Sequence, residues 1–268
     1  MTDHVAAALF VLALWWTSTG AILLVDGLPK STFRLSIGSA TALALAGLFG
    51  LWWSSHVEST LAAYVAFSCA LAIWAWHELS FLLGIVTGPR KLACPADARG
   101  WQRFRYATAA VIHHEVALVL TLLAVAALTW GAPNQVGTWT FLVLWTMRLS
   151  AKLNVYLGVR NLTERFIPEH LRYMLSYFRK APLNPLMPVS LLVGGAVFVH
   201  LVAQSTSNEA TAFVLVGRTL VATILGLAVL EHLFLTLPVP DALLWRWAMR
   251  TDQARLTNPP RNLRGEIP

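Results

Sequence analysis

Seven runs of about twenty mainly apolar residues leave this chain few ways to fold. Each run matches the hydrocarbon thickness of a bilayer, and in lipid a chain must satisfy its own backbone polar groups, so each is expected to form a helix. The runs lie near residues 5–25, 36–53, 61–86, 106–130, 138–158, 186–204 and 212–237. Charged residues make up 12% of the chain, about half the share of a soluble domain. The expected fold class is all-α: a single polytopic membrane bundle over residues 1–250, with about seven transmembrane helices and no soluble domain.

The connections between the runs set the expected orientation. Lys30 and Arg34 follow the first, and Arg90, Lys91, Arg99, Arg103 and Arg105 follow the third. Lys152, Arg160, Arg165, Arg172, Arg179 and Lys180 surround the fifth exit, and five arginines follow the seventh. The even exits carry no Lys or Arg: His56 and Glu58 follow the second, the uncharged stretch Gly131–Gly137 the fourth, and Glu209 the sixth. The positive-inside rule then predicts a periplasmic N-terminus and a cytoplasmic C-terminus. The net charge of +7 is a topology signal on this reading, and no nucleic-acid partner is expected. The first run follows Met1-Thr2-Asp3-His4, with no basic segment before it, and is expected to be retained as a helix.

The fifth connection is too long for a turn. Over residues 168–180, Leu171, Met174, Leu175 and Phe178 fall on one helical face, with Arg172, Arg179 and Lys180 away from it. Pro168 suits a first turn and Glu169 a positive dipole end, so an amphipathic helix on the cytoplasmic surface is predicted, in contact with membrane lipid or capping the bundle. Residues 251–268, rich in Arg, Pro and Asn, are expected to form a poorly ordered tail.

Three apolar runs carry costly groups: His77-Glu78, His113-His114-Glu115 and Glu231-His232. An ionisable residue at the bilayer centre costs about 2.5–3.5 kcal/mol, so it persists where something compensates. The alternating orientation brings all three clusters to a similar depth in the cytoplasmic half, which points to one shared polar site. Arg148 and Lys152, four apart and so on one helix face, lie at that depth and are candidate charge partners. Asn154, Asn161 and Glu164 follow as supporting polar groups.

Imidazole and carboxylate are the ligands of zinc and non-haem iron, and helical bundles build di-metal sites from them. The metal or pigment ligand candidates are therefore His77, Glu78, His113, His114, Glu115, Glu231 and His232. Adjacent helical residues point about 100° apart, so the two members of each His–Glu pair cannot both face one ion with equal ease. Three other readings stay open: a buried salt-bridge network, axial His ligation of haem or bacteriochlorophyll, and quinone binding. No Gly-x-Ser-x-Gly motif, Cys/His pair or Gly-rich phosphate loop is present, so nucleophilic catalysis has weak support.

Several strings carry a family resemblance. Trp76-His77-Glu78-Leu79-Ser80-Phe81, Thr87-Gly88-Pro89-Arg90 and His113-His114-Glu115 resemble the photosynthetic complex assembly protein PuhE family. So do Arg148, Lys152 and Asn154 leading into Leu157-Gly158-Val159, and Pro168-Glu169-His170-Leu171. The similarity runs from the first apolar segment to Glu231-His232. It implies a multi-pass protein of the bacterial inner membrane that supports assembly of the reaction centre–light-harvesting complex, or bacteriochlorophyll supply. Reaction-centre or light-harvesting subunits and pigment would be its partners. It carries over no catalytic residue. The alternative reading is a membrane-embedded metal-dependent enzyme acting on a pigment, isoprenoid or quinone.

Overall fold

A computed structural model describes residues 2–162, 164, 167–205, 211–237, 244, 245, 247 and 248. Seven long helices are present among them: α1 (Thr2–Asp26), α2 (Phe33–Ser55), α3 (Thr60–Leu82), α4 (Gly100–Leu128), α5 (Val136–Leu157), α6 (Leu186–Ser205) and α7 (Ala212–Thr236). Tighter 3-10 segments occupy Lys30–Thr32 and Glu169–Tyr177, and no strand occurs among the described residues. The expected tail at 251–268 lies outside the described residues.

Six of these helices, all except α5, are long and apolar enough to cross a membrane. The 22-residue α5 falls short of the other six because Arg148, Ser150, Lys152 and Asn154 dilute its apolar residues. Half of the apolar window is buried in α3 and in α7, against 11–17% in α1, α2, α4 and α6, so these two helices lie deepest among the six. The polar helix α5 packs on both, and also on α4 and α6. Phe67, Leu118, Phe141, Leu220 and Ile224 fill the core. Leu45, Phe49, Leu120, Leu192 and Val199 stand exposed on the outside, as lipid-facing side chains do. Small residues let the backbones approach: a Cβ on Gly47 would lie 3.1 Å from the Cys69 carbonyl oxygen, which seats α2 directly on α3.

Local chemistry sets the helix ends near the clusters. The Ser59 hydroxyl accepts from the Ala62 N–H at 3.1 Å and starts α3. At the other end α3 stops at Leu82, short of the expected residue 86. Gly84 takes φ +73°, and the Ile85 and Val86 N–H groups both donate back to the Ser80 carbonyl. The chain then runs along α4: the Arg90 N–H donates to the Ala109 carbonyl at 3.1 Å, and the Thr87 carbonyl accepts from the His114 N–H at 2.9 Å. Gly88 is required there, since a Cβ would collide with the Ala109 and Ala110 carbonyls.

The surface segment after α5 is helical over Glu169–Tyr177, but wound as a 3-10 helix. The buried face is therefore Leu171, Met174 and Tyr177, three apart: Leu171 and Met174 of the expected stripe are buried, while Leu175 and Phe178 are half-buried and Tyr177 takes their place. Tertiary bonds hold this winding. Arg90 Nε donates to Tyr177 Oη at 2.8 Å, Tyr177 Oη donates to the Leu92 carbonyl at 2.8 Å, and Arg103 donates to the Tyr177 carbonyl at 2.6 Å.

Candidate functional site

The polar residues of α5 form two stripes. Arg148 and Lys152 share one face by their spacing of four; Ser150 and Asn154, also four apart, sit two residues away, about 200° round the helix. The first stripe meets α3 and α4. Arg148 donates to Glu78 of α3 at 2.9 Å, and Lys152 to Glu115 of α4 at 2.5 Å. The second stripe meets α6 and α7. Ser150 Oγ lies 2.9 Å from both Ser190 Oγ and His232 Nε2, and Asn154 Nδ2 donates to the Ser150 carbonyl and to Ser190 Oγ. His232 Nδ1 sits 2.8 Å from the Ala228 carbonyl. A carbonyl only accepts, so Nδ1 carries the proton and Nε2 is left as an acceptor beside the Ser150 hydroxyl.

The ion pairs differ in exposure. Glu78 and Glu115 keep 13% and 17% of their side-chain surface, Lys152 22%, and Arg148 41%. Both carboxylates are thus held on the inside of the bundle, while the Arg148 side chain is partly exposed, its Nε buried without a hydrogen-bond partner. Glu231 stands exposed on α7 within electrostatic reach of Arg148. Lys152 also lies 5.3 Å over the Phe81 ring, a cation–π contact.

Each adjacent His–Glu pair divides between neighbours, as the 100° offset requires. Where Glu78 turns to α5, His77 turns to α4, with Nε2 2.9 Å from the Thr121 hydroxyl. Where Glu115 turns to α5, His114 turns to Phe81, with ring centroids 4.7 Å apart, and lies 6.3 Å from His77. His114 is wholly buried, and neither of its ring nitrogens has a hydrogen-bond partner.

Other candidates fall outside this arrangement. His113 is exposed on α4 and faces away. Asn161 closes the end of α7, donating to the Phe234 carbonyl at 3.0 Å. Glu164 pairs with Lys180 at 2.9 Å on the surface. Sequence reasoning missed Ser150, Ser190 and Thr121, because hydroxyls in apolar helices usually back-bond to their own turn. It also assigned no partner to His4, whose Nδ1 lies 2.8 Å from Thr219 Oγ1 on α7.

Among the described residues no three His, Cys, Asp or Glu side chains gather closely enough to hold a metal ion. Glu78 and Glu115 instead face cations, so the donor set does not fit a non-haem metal centre. What the arrangement does provide is a line of paired charge across three helices, with the Arg148 side chain partly exposed.

The family model described as protein of unknown function DUF3623 matches residues 1–256. One relative, described as an uncharacterized 30.4 kDa protein in the puhA 5′ region of Rhodobacter capsulatus, is 35% identical over 253 residues. The match covers 93% of this chain and 92% of the relative. No solved structure matches.

Proposed function

We propose, since this chain belongs to the DUF3623 family, that it is an inner-membrane factor supporting assembly of the photosynthetic reaction centre–light-harvesting complex or its bacteriochlorophyll supply. The observation that carries this reading is the relative in the puhA 5′ region, which suggests a photosynthesis-related role. The resemblance of the Trp76–Phe81 and His113–Glu115 strings to the PuhE family points the same way. On this reading α5 also spans the bilayer, making seven spans, held there by its pairings, with the N-terminus periplasmic and the C-terminus cytoplasmic.

The charged face of α5 is the working part. Glu78 and Glu115 neutralise Arg148 and Lys152 enough to keep them in the bundle, and the partly exposed Arg148 offers a cation to a polar group arriving on a neighbouring transmembrane segment. A reaction-centre or light-harvesting subunit is the partner proposed. The test is deletion of the gene and near-infrared absorption of isolated membranes. The expected result is a lower amount of assembled complex per membrane protein, restored by the intact gene. An unchanged spectrum in the deletion strain contradicts the proposal.

A further inference from the structure

We infer that the first two turns of α4 bind the headgroup of an anionic phospholipid, with Trp101 as interfacial anchor and Arg99 and Arg105 as the cations that meet its phosphate. The inference rests on α4 crossing the bilayer and is independent of what the chain assembles. Spacing places these residues in the headgroup layer. Trp101 and Trp130 lie at the two ends of α4, 29 residues apart in the chain, which is about 44 Å of helix. A bilayer with its headgroup regions is about 40–45 Å thick. Both indoles are exposed, Trp101 by 71% and Trp130 by 86%, as tryptophans of the membrane interface are.

Helix geometry turns this face outward. Arg103 points into the protein: it donates to the Tyr156 and Tyr177 carbonyls and lies 4.3 Å over the Tyr156 ring. Trp101 and Arg105 each stand two residues from it, about 200° round the helix, so they point away from α5. Trp101 is steadied by Phe104, stacked at 5.1 Å between ring centroids. Val116 lies about three whole turns beyond Arg105 and Leu123 about five, so both share its meridian. Both are exposed. An acyl chain lying along Val116 and Leu123 therefore brings its headgroup to Arg105.

Charge selects the lipid. Arg99 and Arg105 are exposed and make no hydrogen bond or ion pair among the described residues, and Asp97, close by in the chain, pairs with neither. The Glu169–Tyr177 segment, where lipid contact was expected, differs on both counts. Its Leu171, Met174 and Tyr177 are buried in the protein. Its Arg172 pairs with Glu169 at 2.8 Å, and the neighbouring Lys180 with Glu164 at 2.9 Å. Two free guanidinium forks match phosphate oxygens carrying a net negative charge. A zwitterionic headgroup brings its own cation to the same face and loses part of that attraction. At the other end of α4 the stretch Gly131–Gly137 is uncharged, so Trp130 makes no such selection.

The test reconstitutes the full chain in phosphatidylcholine vesicles containing either phosphatidylglycerol or phosphatidylcholine brominated near the head of its acyl chain. Bromine quenches nearby indoles, and the difference between the unsubstituted chain and Trp101→Phe isolates the Trp101 signal. Trp130→Phe isolates Trp130 in the same way. Trp101 is expected to prefer the anionic lipid by roughly fivefold or more in apparent affinity, and Trp130 to be quenched equally by both. Arg105→Gln is expected to lower the Trp101 preference about fivefold, and Arg105→Lys to keep most of it. Arg160→Gln, which removes an exposed cation elsewhere, is expected to leave it unchanged. Equal quenching of Trp101 by the two lipids, a preference intact in Arg105→Gln, or an equal loss in Arg160→Gln each overturns the inference. Quenching of Trp130 checks separately that α4 crosses the bilayer; without it the spanning reading falls, and this inference with it.

Discussion

Glu78 and Arg148 illustrate what an apolar environment asks of a charged side chain. Neither is tolerable alone at this depth, and each is held by the other at 2.9 Å. Removing one partner strands the other, so Arg148→Met is expected to destabilise the bundle by about 2 kcal/mol, less than the ~3–5 kcal/mol of a fully buried pair because Arg148 is partly exposed. Glu78→Met in the same background is expected to recover most of that loss, a coupling that thermal unfolding of the two single variants and the double variant reads directly. The 100° offset was legible in the sequence, and it anticipated that His77 and Glu78, and His114 and Glu115, would not face one point together. Azimuth was not. The sequence places His113 beside His114 but cannot say which of them turns outward, because that depends on where α3 and α5 sit around α4. The Thr121 partner of His77 was equally hidden, since a lone threonine in an apolar run carries no distinguishing pattern.

Elements differ in how strongly their own sequences determine them. The six apolar helices are legible from run length alone. α5 is legible too, near 138–158, although its polar residues lower its hydropathy, and it holds its place through bonds to Glu78, Glu115, Ser190 and His232 on four other helices. The surface segment departs further from its sequence. Its composition permits a 3.6-residue stripe, yet Arg90, Arg103 and the Leu92 carbonyl fasten Tyr177, and the chain tightens to a three-residue period. Tyr177→Phe removes the phenol hydroxyl from two of these bonds and is expected to cost about 1–2 kcal/mol, read as a lower melting temperature. Gly88 gives a sharper test. Gly88→Ala drives a methyl into the Ala109 and Ala110 carbonyls, so the Thr87–Arg90 segment must leave α4. Faster proteolysis between residues 88 and 98 is the expected outcome, and a cleavage rate equal to that of the unsubstituted chain would mean the segment is not seated there.

Across the whole molecule, the alternation of basic and non-basic connections gives a testable orientation. Glu58 lies between α2 and α3, and Leu92 between α3 and α4, both exposed. With the native cysteines replaced, Glu58→Cys is expected to react with an impermeant maleimide added to spheroplasts, and Leu92→Cys only after the membrane is opened. The reverse pattern would invert the topology and place the Arg148 site in the outer half. On the proposed function the charges on α5 serve a partner and not the fold alone. Physical chemistry offers a way to separate the two, because replacing a buried ion pair by apolar residues of similar size is often neutral for folding, or stabilising. The decisive measurement is therefore near-infrared absorption of membranes from a deletion strain carrying the Glu78→Met/Arg148→Met double variant, at protein levels matched to the unsubstituted chain. A stable, fully accumulated protein that fails to restore the assembled complex is expected; full restoration by the double variant would show that the ion pair merely holds the helices together.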